Sequence, residues 1–247
     1  MKNLLGILIC SLPLVLVACT EKEMLSWYPE PGPIGYLDPS APTNLSDTSH
    51  YMYEMQKAAR HAEYQTAQQT TYDGSWVNIG YPGGDPGYQQ GVCTDVVIRA
   101  LRFIDIDLQE LIHVDMKRAH SDYNRRYYSK VIDNNIDHRR TQNIQTLLTR
   151  VGAKIKTPVN NIDYKPGDIL FWNIAAGHTG IVVNSINPET GNYYVVHNIG
   201  SGAMYEDMLA YWEPSEVYRL TDNDVVKLQE ACTFKYNQDK DFKRYVQ

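Results

Sequence analysis

The sequence predicts an α+β domain, helices first and a small antiparallel sheet after them. Three observations predict it. Apolar residues recur at helical spacing before Gly152, β-rich runs take over after Pro166, and turn residues rich in Gly, Pro and Asn separate those runs. The length and composition agree, since 247 residues that are 43% hydrophobic and 21% charged can bury a core without metal or disulfide staples. A formal net charge of -6 argues against a nucleic-acid partner, because phosphate contacts need a basic surface.

The chain opens on an export signal. Lys2 supplies the positive end, and Leu4 to Val17 is an apolar run broken by Gly6, Ser11 and Pro13, too short and interrupted for a membrane span. The string Leu16-Val17-Ala18-Cys19 resembles the lipobox of bacterial lipoproteins. That resemblance implies removal of residues 1–18 and acylation of Cys19. With Thr20 where a retention aspartate would stand, it also implies an anchor on the periplasmic face of the outer membrane. Residues 19–45 carry Pro29, Pro31, Pro33, Pro39 and Pro42 and read as an extended linker. The folded domain then covers 46–220, with an amphipathic appendage over 221–247. Processing removes Cys10 and commits Cys19, so Cys93 and Cys232 remain as thiols that an oxidising compartment would allow to pair.

Within the domain, Tyr51, Met55, Ala58 and Ala62 trace an amphipathic helix to about Ala67, with Ser46, Asp47 and Ser49 available as caps. Tyr81 to Gly91 is a turn-rich loop. Cys93, Val97, Ala100, Leu101 and Ile104 return to helical spacing, which places Cys93 at a helix N-terminus. Asp107 and Glu110 have the spacing of a capping box for a third helix bearing Leu108, Leu111, Ile112, Asp115 and Ala119. A fourth helix holds Ile144, Leu147, Leu148 and Val151 and stops at Gly152. Residues 168–174, 178–184 and 193–198 then form an antiparallel meander, which 216–220 extends. No internal repeat is present.

A cysteine nucleophile reacts as thiolate, favoured by a helix N-terminus and a neighbouring imidazole whose second nitrogen is fixed by a third group. Cys93 meets the first condition, and His178 and His197 lie on consecutive strands. Centring their hairpin on Glu189-Thr190 gives a pair sum offset from theirs by an even number, so both side chains can share one sheet face.

The order Gly91-Val92-Cys93, Lys165-Pro166-Gly167-Asp168, Gly177-His178-Thr179-Gly180-Ile181 and Val196-His197-Asn198 resembles the NlpC-type branch of the papain-like cysteine peptidases. Closer still, the strings around Cys93, Asn135-Ile136-Asp137-His138-Arg139-Arg140 and His197-Asn198-Ile199-Gly200 resemble a bacterial exported YijF-like family of unknown function within that fold. The resemblance implies Cys93 as nucleophile, His178 as general base and then acid, and His197 as orienting residue. It implies amide hydrolysis through a thioester, on peptidoglycan peptides as partner. No cofactor and no metal are expected, since the Gly-rich stretch Tyr81 to Gly91 lacks Gly-x-x-x-x-Gly-Lys and the chain lacks metal-ligand motifs. The chain is expected to act as a monomer held at the membrane only by its anchor. The resemblance implies Tyr81 as the counterpart of the family's upstream tyrosine, with a spacing to Gly83-Gly84 one residue shorter than the family's. Asp95 departs from the small residues usual after the nucleophile, and would either oppose thiol ionisation or bind a substrate cation. In the polar segment 133–140, Arg139 or Arg140 is a candidate bidentate contact to a substrate carboxylate. Asp137 there is a candidate helix cap or substrate contact, and His138 an alternative third catalytic residue.

Two other classes have their own requirements. A metal hydrolase would have to recruit His113, His120, His138, His178 and His197, although the chain lacks His-Glu-x-x-His and Cys-x-x-Cys. A non-catalytic envelope-binding lipoprotein would keep the fold and tie Cys93 to Cys232 in a disulfide.

Overall fold

The computed structural model describes residues 53–69, 71–123 and 131–235. The export signal, Cys19, the linker, Tyr51 and the caps proposed at Ser46, Asp47 and Ser49 lie outside the described residues. Five α-helices and a six-stranded antiparallel sheet make an α+β fold among the residues described. No helix among them is long and apolar enough to cross a membrane.

Helix α1 (Tyr53–Gln65) buries Met55, Ala58, Ala59 and Ala62 along the expected stripe, but ends two residues before Ala67. The N–H groups of Tyr53 and Glu54 donate to the Asp222 carboxylate at 3.4 and 3.2 Å, so a distant acid serves this end of the helix. Two short strands, β1 (Thr71–Tyr72) and β2 (Gln90–Gly91), pair in parallel and lead into α2 (Cys93–Phe103). Helix α2 packs against α1 and the sheet, and every residue from Cys93 to Arg102 is buried.

That burial dictates the path of the preceding loop. A buried guanidinium must be paired or it costs several kcal/mol. Arg99 takes both Asp85 oxygens at 2.7 Å, Gln69 Oε1 at 2.8 Å, and the carbonyls of Gly87 and Gln90 at 2.8 and 2.9 Å. Residues 85–90 therefore wrap around one side chain of α2.

Helix α3 (Leu108–Arg118) starts at Asp107, whose carboxylate accepts from Gln109 N–H, but no capping box closes. Glu110 instead accepts from the backbone of Thr233 and Phe234 and from the Thr233 hydroxyl, which ties the C-terminal segment to this helix. Helix α4 (Thr141–Arg150) precedes the sheet, whose strands are β3 (Lys154–Ile155), β4 (Ile169–Trp172), β5 (His178–Ile186), β6 (Tyr193–His197), β7 (Met204–Glu206) and β8 (Glu216–Tyr218). Their order is β3-β8-β4-β5-β6-β7. Helix α5 (Asp222–Ala231) follows β8, and Val225, Leu228 and Cys232 join the same apolar core as α1 to α4. The segment expected as an appendage thus contributes to the core up to Cys232.

The Pro-Gly-Asp turn before β4 has a structural purpose. Asp168 is fully buried, accepts from Lys165 N–H, and forms two 2.7 Å bonds with Arg219 next to β8. Gly167 has φ +96, and a Cβ there would lie 2.6 Å from the Cβ of Met55 on α1. The motif locks the sheet centre to α1.

Candidate active site

Cys93 is the first residue of α2, and four contacts hold the turn that delivers it. Val92 N–H donates to Asp95 Oδ2 at 2.7 Å. Arg139 grips the same carboxylate through Nε at 2.9 Å and Nη2 at 2.8 Å. Asn198 Nδ2 donates to the carbonyl of Gly91 at 3.0 Å, which fastens the turn to the end of β6. Gly91 is required here because a Cβ would stand 2.8 Å from Asp95 Oδ2.

The thiol itself is 8% exposed and free of any disulfide. Backbone N–H groups of Thr179, Thr94 and Cys93 point at its sulfur and favour the thiolate. Burial outweighs them, with the Asp95 charge adding to it, and pushes the thiol up to about 11. At rest Cys93 is a neutral thiol in a cradle of donors.

The histidines are brought together by the sheet register, on the strand that also carries Thr179 and its neighbour β6. Gly180 on β5 faces His197 on β6, so His178, two residues earlier, shares the face of His197. Near the turn Ile186 pairs with Tyr193, while beyond an irregularity Val182 pairs with Val195. The register slips there by an even count, so the facing of the histidines survives. His178 Nε2 lies 3.1 Å from His197 Nδ1, with the rings at 88°. His197 Nε2 in turn lies 2.9 Å from Glu206 Oε2 on β7. Met204 pairs with His197, which puts Glu206 on the same face again. Burial, reinforced by His197, holds His178 well below the ordinary imidazole range. His178 is therefore neutral at rest, and Trp172 packs over it with ring centroids 5.8 Å apart.

Gly180 explains the spacing of the His-x-Gly string. A Cβ there would meet Val195 Cγ1 at 2.7 Å, Val196 O at 3.0 Å and His197 Cβ at 3.1 Å. Gly180→Ala is expected to displace His197 and to cost about 1–3 kcal/mol, read as a lower melting temperature together with slower alkylation of Cys93.

The other candidate residues take different places. Arg139 is 6% exposed and its fork is spent on Asp95, which is 2% exposed, so the expected contact to a substrate carboxylate is corrected to an internal one. Asp95 likewise holds the turn at the start of α2 and has no face for a substrate cation. Asp137 is buried and caps the turn at Asp133 through a 2.7 Å bond from its N–H. His138 is 2% exposed, among Arg102, Arg139 and Asp85, and burial lowers it to about 3. It is His197, not His138, that makes the contact with His178. Tyr81 is exposed, but it packs edge-on against His113 of α3 at 4.9 Å, while Gly83 and Gly84 donate to Asp107 and Gln109. The structure puts it with α3, not with the α2 turn.

The disulfide expected under the binding-module alternative does not form. Cys93 opens α2, whereas Cys232 accepts from Asp107 N–H at 3.3 Å, just beyond the opposite end of that helix. An eleven-residue helix rises about 16 Å, and a disulfide requires Cα atoms within about 7 Å. Of the five histidines a metal site would recruit, His178 and His197 alone are seen to meet, and no group of three metal-ligating side chains gathers among the described residues.

Buried neutral histidines leave a mark on stability. His61 and His138 are both held near 3 in the fold, against 6.5 when unfolded, so the unfolded chain binds more protons below pH 6.5. Stability is retained above that value and is lost progressively as pH falls from 6.5 toward 3, by roughly 2 kcal/mol per histidine at pH 5. Urea melts at pH 7.5 and pH 5 check this directly.

Residues 59–220 match a family described as a domain of unknown function, DUF1287. This chain belongs to that family. It is also 41% identical over 160 residues to the uncharacterized protein YijF of Escherichia coli (strain K12), covering 64% of this chain and 78% of the relative. No solved structure matches it. The family match spans Cys93, His178, His197 and Glu206 together with their braces Asp95, Arg139 and Asn198. Four of these, Glu206, Asp95, Arg139 and Asn198, make pairings that the sequence does not predict. Glu206 sits on a three-residue strand with no alternation to announce it, and the pairings of Asp95 with Arg139 and of Asn198 with Gly91 join residues far apart in the chain.

Proposed function

We propose that the protein is an NlpC-type, papain-like cysteine hydrolase that cleaves amide bonds through a thioester. The observation that carries this reading is the chain Glu206, His197, His178, with its last imidazole on the strand whose Thr179 N–H reaches the Cys93 sulfur. Such a chain orients a base toward a nucleophile, as catalytic triads do.

The neutral resting pair sets the order of events. Because burial opposes charge on both groups, the thiol proton passes to His178 as sulfur attacks the carbonyl carbon, so thiolate and imidazolium arise together and offset one another. The donors around the α2 turn are suited to the oxyanion that forms when the carbonyl π-pair moves to oxygen. Collapse of the intermediate expels the amine, which leaves with the proton from His178 and yields the thioester. Water then gives a proton to His178 and its oxygen to the acyl carbon, and the returning proton regenerates the thiol. His178 must be neutral at the start, so kcat/KM holds as pH falls through 6.5 and declines only at the lowered value of this ring.

The envelope location and the choice of peptidoglycan stem or cross-bridge peptides rest on the lipobox-like string at Cys19 and the NlpC-type motifs. Purified peptidoglycan incubated with the protein, followed by mass spectrometry of the released fragments, tests the assignment. New peptide termini that depend on Cys93 are expected. A wall left intact at all cross-bridges and stems would overturn the substrate class.

A further inference from the structure

We propose that Glu206 is a positioning residue that fixes, through His197, which nitrogen of His178 carries the proton. This inference rests on the hydrolase reading and adds to it a member outside the nucleophile, base and orienting residue. A carboxylate only accepts hydrogen bonds, so the 2.9 Å contact from His197 Nε2 to Glu206 Oε2 requires a proton on His197 Nε2. A neutral imidazole has one N–H, which leaves His197 Nδ1 bare and able only to accept. The 3.1 Å contact between that atom and His178 Nε2 then requires the His178 proton on Nε2. His178 Nδ1 is left with its lone pair available for the thiol proton. Without the acid at the end of the chain, His197 can turn its tautomer over, and His178 can be left with a proton on the nitrogen that should receive one.

The fold keeps the acid in place. Glu206 lies on the outermost strand, two residues from Met204, which pairs with His197, and its side chain is 19% exposed while that of His197 is fully buried. The carboxylate therefore keeps contact with water as it anchors a dry pair of rings. When His178 takes the thiol proton, the negative charge of Glu206 lies two hydrogen bonds away from the imidazolium and stabilises it.

The test reads tautomers by 15N NMR of the histidine rings in the labelled protein at pH 7.5, because protonated and bare ring nitrogens differ widely in shift. In the unaltered protein both His178 and His197 are expected with the proton on Nε2. Glu206→Ala should turn His197 into a mixture of tautomers and slow alkylation of Cys93 by roughly tenfold or more, whereas Glu206→Gln, whose amide oxygen still accepts, should keep the tautomers. A proton on Nδ1 of His178 in the unaltered protein, or unchanged tautomers in Glu206→Ala, would overturn the proposal. The first of these readings needs neither a variant nor a substrate, so it fails or succeeds apart from peptidoglycan cleavage.

Discussion

Cys93→Ala is expected to abolish amide cleavage, with a loss of roughly 10³-fold or more in kcat/KM and little change in melting temperature. The two halves of that result come from different atoms. In the proposed reaction the sulfur bonds to the substrate carbon, and the nearby hydroxyls of Thr94 and Thr179 are engaged with the carbonyls of Arg139 and Leu170 while the other described cysteine, Cys232, lies beyond the far end of α2. The turn, in contrast, is held by Asp95, Arg139, Asn198 and Gly91, none of which depends on the Cys93 side chain. His178→Ala should remove the base with a similar retention of fold and a loss of roughly 10²–10⁴-fold. Steady-state rates on released muropeptides, beside thermal melts of the same preparations, check both variants.

The second large effect falls on stability. Arg139→Ala is expected to destabilise the domain by about 3–5 kcal/mol, because it strands the Asp95 carboxylate in a site where both side chains are nearly fully buried. The loss would not stop at the pair. Asp95 also accepts from Val92 N–H, so a carboxylate that shifts or takes up a proton once unpaired weakens the start of α2, while the bond from Thr94 Oγ1 to the carbonyl of residue 139 is kept by the substitution. Arg139→Lys keeps a charge but cannot make the two parallel bonds at 2.9 and 2.8 Å, and should fall between the parent and Arg139→Ala. Urea titrations measure the difference. A substrate-binding arginine would give the opposite pattern, a raised KM at unchanged stability.

These two residues also mark where the sequence is legible and where it is not. The helix through Cys93 and the strands of His178 and His197 are visible in the periodicity, and the shared face of the two histidines follows from parity alone, which survives an irregular register because the slip is even. Asp107 was recognisable as a cap, but the expected partner Glu110 turned to Thr233 and Phe234, since a distant backbone offered it more donors than the local one. The charged string Asp137-His138-Arg139 looks like a solvated recognition segment in one dimension, yet all three side chains are buried. Nothing in local spacing announces that Arg139 belongs to Asp95, forty-four positions away. Glu206 was invisible for a related reason: its meaning comes entirely from a strand pairing three residues long.

Cys232 supplies an internal control for the central claim, that the histidine chain activates Cys93. Both thiols are buried, at 8% and 5% exposure, and both are pushed up to about 11 chiefly by burial. They differ in their surroundings: Cys93 faces the N–H groups of its own turn and of Thr179, the residue after His178 on β5, whereas Cys232 faces the Asp107 N–H. Iodoacetamide labelling of the reduced protein near neutral pH, followed site by site by mass spectrometry, therefore isolates what the histidines add. Cys93 should alkylate at least about tenfold faster than Cys232, and that excess should vanish in His178→Ala. Equal labelling of the two cysteines, or an excess that persists unchanged without His178, would contradict the account.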